Sequence, residues 1–311
     1  MKTKIALLLS VILLTLFSCT ENNPEVLLPV DDSPIFMDIS SFYSPANLKS
    51  TLTGGLPENI AVLKAEYLTT AESGKIGRTV YFVNVGNKQL DADFVPDLSL
   101  DGTTDVSYYI DENRPSLDLP LALSSGAIQQ AMETWDGITC SDLGMYQIPY
   151  SNEINSGYIS SIFGYGGSPD YISDVTFCGW MPAGFFDLLA SDGSTYILGV
   201  TFTLIFVDDD GILTDYDNNK KYDVAWREIY FNDNFLWRNG ATYDIETVAL
   251  HEAGHGLSQG HFGKAFRDAG TGYLHFSPRA VMNAAYSGIQ TEIAKTDEAG
   301  HCSIWADWPI H

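Results

Sequence analysis

Three of the six histidines in the chain fall within one eleven-residue segment, and their spacing constrains the local fold strongly. His251 and His255 are four residues apart, so on a helix they share one face and can converge on a single cation. His261 lies six residues beyond His255 and cannot share that face, so the helix must end and the chain must turn back. Gly256 and Gly260 make such a turn possible. The segment therefore predicts a helix, a turn and one metal site.

The residue types in this segment favour zinc and hydrolytic chemistry. Neutral imidazole nitrogens bind zinc at about 2.0–2.1 Å, and a catalytic zinc site has three protein ligands plus a water. Glu252 follows the first histidine, where its carboxylate can take a proton from the zinc-bound water as that water attacks a carbonyl. The same carboxyl can then deliver the proton to the leaving amine. The alternative, a surface helix with unrelated histidines, leaves the three-ligand spacing unexplained.

The first eighteen residues have the pattern of a targeting segment. Lys2 and Lys4 precede an apolar run over residues 5–17, which is too short to span a bilayer comfortably. Residues 16–19, Leu-Phe-Ser-Cys, resemble a bacterial lipoprotein box, which implies that Cys19 is lipidated and becomes the N-terminus. The alternative is an ordinary signal peptide that is cut nearby. We therefore expect an extracytoplasmic lipoprotein of the cell envelope, at the outer membrane or cell surface, whose lipid anchor is joined by a tether over residues 19–31.

The charge of the chain argues against one class of partner. The formal net charge is -24, from 40 acidic and 16 basic side chains, and this repels the phosphates of a nucleic acid. Hydrophobic residues make up 45% of the chain, which is enough to bury a sizeable core. Cys140, Cys178 and Cys302 remain after the targeting segment, and in an oxidising compartment two of the three can pair. The sequence does not indicate which two.

The order of predicted elements indicates an α+β domain with a mixed, twisted sheet over residues 98–311. Apolar patterning predicts a helix at 124–135 and a second helix that begins at Ile245. It predicts strands at 105–110, 173–180, 196–207 and 227–232. Residues 32–97 also contain two predicted strands, at 60–63 and 79–83. This N-terminal region has three interpretations: a small β-rich module, a propeptide, or an extension of the main domain.

The metal segment resembles the extended zinc signature of metzincin peptidases, His-Glu-x-x-His-x-x-Gly-x-x-His. Downstream, residues 280–286 resemble the Met-turn of that family, and Tyr286 four residues after Met282 is the matrixin-like arrangement. The resemblance implies a zincin-like fold with an active-site helix and a methionine floor beneath the zinc. It implies a zinc endopeptidase that hydrolyses protein or peptide substrates, with Tyr286 near the substrate pocket. In matrixins the strand two before the zinc helix edges the cleft and pairs with substrate, which here corresponds to residues 197–206.

The chain departs from the family pattern in two places. Ser258 stands where the signature has glycine, and a serine in a left-handed turn costs about 1 kcal/mol. Gly260 is expected to absorb part of that bend. Matrixin zymogens block zinc with a propeptide cysteine, but no cysteine lies between Cys19 and Cys140. If residues 20–97 inhibit the site, a carboxylate or steric cover must serve instead.

A second cation is suggested by the acidic segment after the strongest predicted strand. Asp215, Asp217 and Asn219 alternate as oxygen ligands do in calcium loops, although the glycine and the distal glutamate are missing at the expected offsets. The interpretations are a structural calcium and a solvated acidic turn, and structural calcium in matrixin-like domains favours the first.

Two other functions stay open. One is a non-catalytic adhesion or binding lipoprotein that keeps zinc for structure; the presence of three ligands and Glu252 weighs against it, since structural zinc normally has four protein ligands. The other is a zinc hydrolase that acts on another acyl or amide bond, because the same chemistry suits any polarised carbonyl.

Overall fold

The computed structural model describes residues 27–31, 33–39, 59–83 and 92–309. The predicted targeting segment, including Cys19, lies outside the described residues. Within the described ranges, no helix combines the length and the apolarity needed to cross a bilayer.

The described residues form α-helices and β-strands in the order of a mixed α+β domain. The helices are α1 (Leu121–Asp136), α2 (Tyr158–Ile162), α3 (Ala183–Asp187), α4 (Ile245–Gly256) and α5 (Lys295–Trp305). The strands up to the first helix are β1 (Leu27–Pro29), β2 (Ile35–Phe36), β3 (Ile60–Thr70), β4 (Thr79–Tyr81), β5 (Ala92–Asp93) and β6 (Val106–Ile110). The later strands are β7 (Met145–Ile148), β8 (Val175–Met181), β9 (Ile197–Phe206), β10 (Tyr222–Asn232), β11 (Lys264–Asp268), β12 (Leu274–Ser277) and β13 (Ala285–Tyr286).

The main sheet is mixed, as the order of elements predicted. Its path is β2-β4-β3-β9-β10-β8-β6-β7, and the short strands β5 and β13 pair with β10 and β3. Neighbours from β10 to β7 are parallel, whereas β9 runs antiparallel to β10 and β3 runs antiparallel to β9. A second sheet has the order β1-β11-β12.

Alternating side chains of the strands pack against helices on both faces of the main sheet. Ile229 and Phe231 of β10 belong to the apolar cluster that includes residues of α1 and α4, such as Trp135 and Val248. Tyr230, between them, belongs to the opposite cluster together with residues of α2 and α3. Helix α4, which carries His251 and His255, therefore lies against one face of the sheet.

The N-terminal region contributes a strand to the middle of the main sheet. β3 pairs with β9 from Ile60↔Phe206 to Thr69↔Ile197, and β4 and β2 continue the sheet beyond it. The prediction that residues 197–206 form the edge of the cleft is therefore wrong, because β3 satisfies the backbone groups that an edge strand would leave open. This pairing argues against a separate β-rich module, because the described strands β2, β3 and β4 belong to the same sheet as β6 to β10. The other two interpretations of residues 32–97, a propeptide and an extension of the main domain, both stay open.

A disulfide joins Cys140, which follows α1, to Cys302 in α5, and Cys178 is a buried free thiol. The sequence had left this pairing open. The bond closes a loop with a sequence separation of 162, so it restricts the unfolded chain strongly.

Replacing both Cys140 and Cys302 by alanine is expected to lower the free energy of unfolding by about 2–5 kcal/mol. Urea denaturation with and without reductant measures the effect. Cys178→Ala is the matched control, because it keeps the cross-link and should respond to reductant as the parent does. If the unfolding midpoint of the parent protein were the same with and without reductant, the stabilising role of the Cys140–Cys302 disulfide would be contradicted.

Candidate metal centre

Helix α4 starts at a side-chain cap and is buried almost all round. The carboxylate of Asp244 accepts hydrogen bonds from the amide of Thr247 at 2.8 Å and from its hydroxyl at 2.6 Å. This caps the first turn of the helix. Glu246 is the one residue of α4 that is only half-buried. Because the helix is enclosed on nearly every side, its histidines are held in fixed positions.

The turn after α4 returns the chain toward the helix, as the histidine spacing required. Ser258 itself takes the left-handed conformation, with φ of 67°. Gly260 is not among the positive-φ residues of the described chain, so it is Ser258 that takes the left-handed conformation at this turn. The buried guanidinium of Arg227 donates through Nη1 to the carbonyl of Gly256 at 2.8 Å and to Oγ of Ser258 at 2.9 Å. These bonds offset the steric cost of a serine at this turn.

The hydrogen bonds of His251 and His255 determine which ring nitrogen carries the proton. Nδ1 of His251 lies 2.7 Å from the carbonyl oxygen of Val281, and Nδ1 of His255 lies 2.8 Å from that of Gln259. A carbonyl oxygen only accepts, so each Nδ1 must donate, and each Nε2 is left with a free lone pair. Carbonyl partners of this kind orient metal-binding histidines in many sites.

The three predicted ligands meet at one place. One ligand atom each from His251, His255 and His261 lies within 4.8 Å of the others, and Nε2 of His255 is 3.2 Å from Nε2 of His261. Two nitrogens bound to one zinc in a tetrahedron are about 3.3 Å apart, from the usual zinc–nitrogen length. The buried Nε2 of His251 has no hydrogen-bond partner among the described residues. The three side chains therefore fit a zinc ion.

His251 and His255 are buried and His261 is half-buried, and loss of solvation favours the neutral imidazole, which is the form that binds a metal. Loss of solvation lowers the pKa of His251 to about 4. Burial also holds the pKa of His255 and the pKa of His261 well below the ordinary value, and the neighbouring histidines lower both further. At neutral pH all three nitrogens therefore have lone pairs available for a cation.

Glu252 is fully buried next to the histidines. Its Oε2 accepts a hydrogen bond of 2.7 Å from the hydroxyl of Thr201 on β9, and burial raises its pKa well above the usual range. Its Oε1 has no well-formed hydrogen bond among the described residues, although the amide of Leu68 approaches the carboxylate closely enough to lower its pKa. A Cβ at Gly199 would lie 2.8 Å from Oε1, so only glycine leaves room for the carboxylate there.

Residues 280–286, which resemble a Met-turn in sequence, pack against the helix that carries His251 and His255. Met282 is buried, and the amides of Val281 and Met282 donate to the carboxylate of Asp297 at 2.9 and 3.1 Å. Because the carbonyl of Val281 holds Nδ1 of His251, Asp297 on α5 orients that ligand through the turn. An added Cβ at Gly254 would lie 2.3 Å from Sδ of Met282, which shows how closely the methionine packs under α4.

Gly254→Ala is expected to destabilise the protein by about 1–3 kcal/mol through overpacking, although alanine normally stabilises a helix relative to glycine. The new methyl would also meet Cζ2 of Trp135 at 2.9 Å. Gly126→Ala in α1 is the control, because its Cβ would meet nothing within 4 Å; we expect it to stabilise the protein by about 0.5–1 kcal/mol. Urea denaturation compares the two, and effects of the same sign would contradict the packing described here.

Tyr286 lies beside His251, and its predicted place near a substrate pocket stays a prediction. It lines a small cavity together with His251, Val281, Thr247 and Leu68. Its hydroxyl accepts a hydrogen bond of 3.3 Å from the amide of Asp244, so the ring is fixed against the start of α4.

The predicted calcium loop lies between β9 and β10. The carboxylate of Asp215 accepts from the amide of Lys220, and that of Asp217 accepts from the amide of Asn219 at 3.1 Å. The side-chain amide of Asn219 donates to Asp93 at 3.0 Å. Among the described residues, the histidine, cysteine and acidic side chains that lie close enough together to share a metal ion are His251, His255 and His261. Calcium at the loop of Asp215, Asp217 and Asn219 therefore stays a prediction.

Several residues of the centre carried no signal in the sequence. Gly199 and Thr201 lie in an apolar strand far from the metal segment in the chain, and Arg227 lies in another strand. Each contacts the centre only because the sheet passes beneath α4. Asp297 could be found only through its place in the last helix.

Neither a scan against protein-family models nor a search of curated proteins finds a match for this chain. The site is therefore interpreted from its own geometry. Three neutral imidazole nitrogens that lie close together could hold a metal ion, and such a set matches the protein ligands of zinc sites that keep one position for water.

Proposed function

We propose that this chain is a zinc-dependent endopeptidase of the metzincin type, matrixin-like, held outside the cytoplasm by an N-terminal lipid. The observation that carries the proposal is the convergence of His251, His255 and His261 next to the buried carboxylate of Glu252. A structural zinc normally has four protein ligands, whereas three ligands and a neighbouring carboxylate suit catalysis.

Each residue of the centre has a distinct part in the proposed reaction. His251, His255 and His261 would hold the zinc, which when bound polarises a carbonyl and makes water acidic near neutral pH. Glu252 accepts a proton at Oε1, the oxygen that Thr201 leaves free, while Thr201 fixes the other oxygen. The protonated carboxyl then gives its proton to the departing amine. Met282 and Asp297 keep the helix and the first ligand in place.

The resemblance to metzincins is supported by more than the signature itself. Helices α1 and α4 contribute to the same apolar cluster, the methionine turn packs under α4, and α5 follows with the carboxylate that holds that turn. The left-handed turn at Ser258 supplies the geometry that the signature glycine provides in the family. These contacts support the proposal of a metzincin-type centre.

The proposed location and partners rest on the sequence, with one structural support. The disulfide between Cys140 and Cys302 suits an oxidising compartment outside the cytoplasm. The lipid at Cys19 would place the domain at a membrane surface, and the net charge of -24 disfavours nucleic acid. The resemblance to metzincins makes a protein or peptide the proposed substrate class, and a zinc hydrolase of another amide or acyl bond is the second candidate.

The test is a peptide-library digest analysed by mass spectrometry, with and without a chelator, together with the zinc content per chain. The digest uses two forms of the protein. One is the intact chain. The other, the cut chain, contains a protease recognition sequence inserted within residues 84–91 and has been cleaved there by the site-specific protease. Both fragments stay in the sample. We expect one zinc per chain and chelator-sensitive cleavage of peptides. Absence of zinc, or zinc without peptide cleavage in either form, would sink the peptidase assignment.

A further inference from the structure

One face of β3 lies over the metal centre. The strand is irregular between Val62 and Lys64 in its pairing with β9, and beyond that point Lys64, Glu66 and Leu68 point to the side of α4. Ala65 and Tyr67, the alternate residues, pack into the cluster on the opposite face of the sheet. The irregularity therefore determines which side chains of β3 face the histidines.

Leu68 occupies an apolar pocket beside the first metal ligand. It is 2% exposed and lines a cavity with His251, Val281 and Tyr286. The space left in that cavity is about 20 Å³, room for little more than one water molecule. Leu68 therefore fills the pocket.

The backbone of β3 at this point faces the proposed general base. Leu68 is opposite Gly199, and Glu66 is opposite Thr201, the two β9 residues that contact Glu252. The amide of Leu68 approaches the Glu252 carboxylate. The peptide between Tyr67 and Leu68 therefore lies next to Glu252.

β3 is held on both sides by main-chain pairing. It runs antiparallel to β9 along its length; on its other side it is antiparallel to β4 from Lys64 to Glu66 and parallel to β13 at Thr69 and Thr70. Backbone pairing with a pocket for one side chain is a general way to bind an extended peptide. The same groups would hold any extended peptide that took the place of β3.

β3 carries a buried ion pair beside His255. Nζ of Lys64 is 2.9 Å from Oε2 of Glu66, and that oxygen is 3.6 Å from Nδ1 of His255. Burying two charges costs nearly as much desolvation as their attraction returns, so this pair adds little to the hold on β3. A cavity of about 540 Å³, lined by Lys64, Glu66 and His261 among others, continues on this side. The hold on β3 at this point therefore comes from its backbone pairing and not from its charges.

We propose that residues 64–70 of β3 occupy the peptide-binding site as a built-in competitor, so that the intact chain is latent until β3 leaves. The proposal rests on the proposed peptidase function. It also identifies the substrate class: an extended peptide with a leucine-sized apolar side chain in the pocket of Leu68, cut at the bond before that residue.

The first test weakens the occupant in the full chain. Leu68→Ala empties the pocket and is expected to raise turnover of an added peptide ~10-fold or more, because truncating a buried leucine shifts β3 toward the undocked state. Leu189→Ala is the matched control: this leucine is equally buried but lies in the cluster on the opposite face. A rise in both variants, or in neither, overturns the proposal.

The second test does not depend on how that variant folds. In the cut chain, β3 and the metal centre are on two separate fragments, so their binding depends on concentration. On dilution to nanomolar concentrations the specific activity of the cut chain should therefore rise, while that of the intact chain stays constant. In initial-rate measurements, before it is itself consumed, a synthetic peptide of residues 60–70 should compete with the added substrate, and the same peptide with Leu68→Asp should not. Equal activity of the cut and intact chains at every dilution overturns the proposal and leaves the peptidase assignment standing.

A third readout separates the two proposals completely. A fluorescent peptide of residues 60–70 is titrated into cut chain that carries Glu252→Gln, and anisotropy reports binding without turnover. Binding that depends on Leu68, with no cleavage by the parent cut chain, would support β3 as occupant and refute the peptidase. If the 60–70 peptide does not bind, and the cut chain cleaves library peptides before residues other than leucine-sized apolar ones, then neither the role of β3 as occupant nor the assigned pocket holds.

Discussion

Replacing Glu252 by glutamine is expected to lower kcat for peptide hydrolysis by about 10²–10⁴-fold in the cut chain, with the zinc content unchanged. Glutamine has nearly the same shape, and its side-chain oxygen can still accept the hydrogen bond that Thr201 donates to Glu252 at 2.7 Å. It cannot accept a proton from water at neutral pH. The loss should therefore appear in turnover, since the change removes proton transfer and leaves the metal ligands in place.

Two measurements accompany this variant. Zinc per chain, by elemental analysis, should equal that of the parent, and the unfolding midpoint in urea should be similar or higher, because a buried carboxylate is replaced by a neutral group. Thr201→Val is a companion change: it removes the hydroxyl that fixes Oε2, and we expect a smaller loss of turnover. A Glu252→Gln protein that turns over peptide at near the parent rate would remove this residue from the mechanism.

Loss of the third ligand is the second large effect. His261→Ala is expected to weaken zinc binding by more than ~100-fold, because changes to groups that only orient a ligand already cost 10–100-fold. His261 comes from the turn beyond α4, and its Nε2 is 3.2 Å from that of His255. Without it, two imidazoles remain, and a pair of ligands does not hold zinc through dialysis against a weak chelator.

The control for this change is His275→Ala. His275 lies in β12 of the small sheet and is not part of the gathered cluster. Its replacement should leave one zinc per chain. Zinc that binds the folded protein and not the unfolded chain stabilises the fold by mass action. Removing zinc with a chelator should therefore lower the thermal stability of the parent protein and leave that of the His261→Ala protein unchanged. Retention of one tightly bound zinc by His261→Ala would mean that another group completes the site.

The metal segment was predictable because its information is local. Positions four apart on a helix share a face whatever surrounds them, and a ligand six residues further on requires a turn. The serine at position 258 was recognised as a departure from the glycine pattern, and the structure places it in the left-handed conformation. Arg227, which steadies that turn, could not be found, because its contact spans 31 residues of chain.

The mixed α+β architecture was also predictable, whereas the neighbours of each strand were not. Residues 60–63 and 79–83 have strand patterning, and both regions do form strands, β3 and β4. Their patterning does not indicate which strand they join. The expectation that β9 is an edge followed from resemblance, and it failed because residues far upstream take that place.

What the sequence by itself determined is the chemistry of the centre: three histidines at ligand spacing, a carboxylate next to the first, and a methionine downstream. Only the tertiary structure decided what surrounds them, including the room that Gly199 leaves for Glu252 and the position of β3 over the histidines. The physical reason is that helix periodicity and ligand spacing are set by neighbours in the chain. Strand pairing instead depends on backbone groups that are alike in every residue, so the partner of β9 is selected by the packing of the whole sheet.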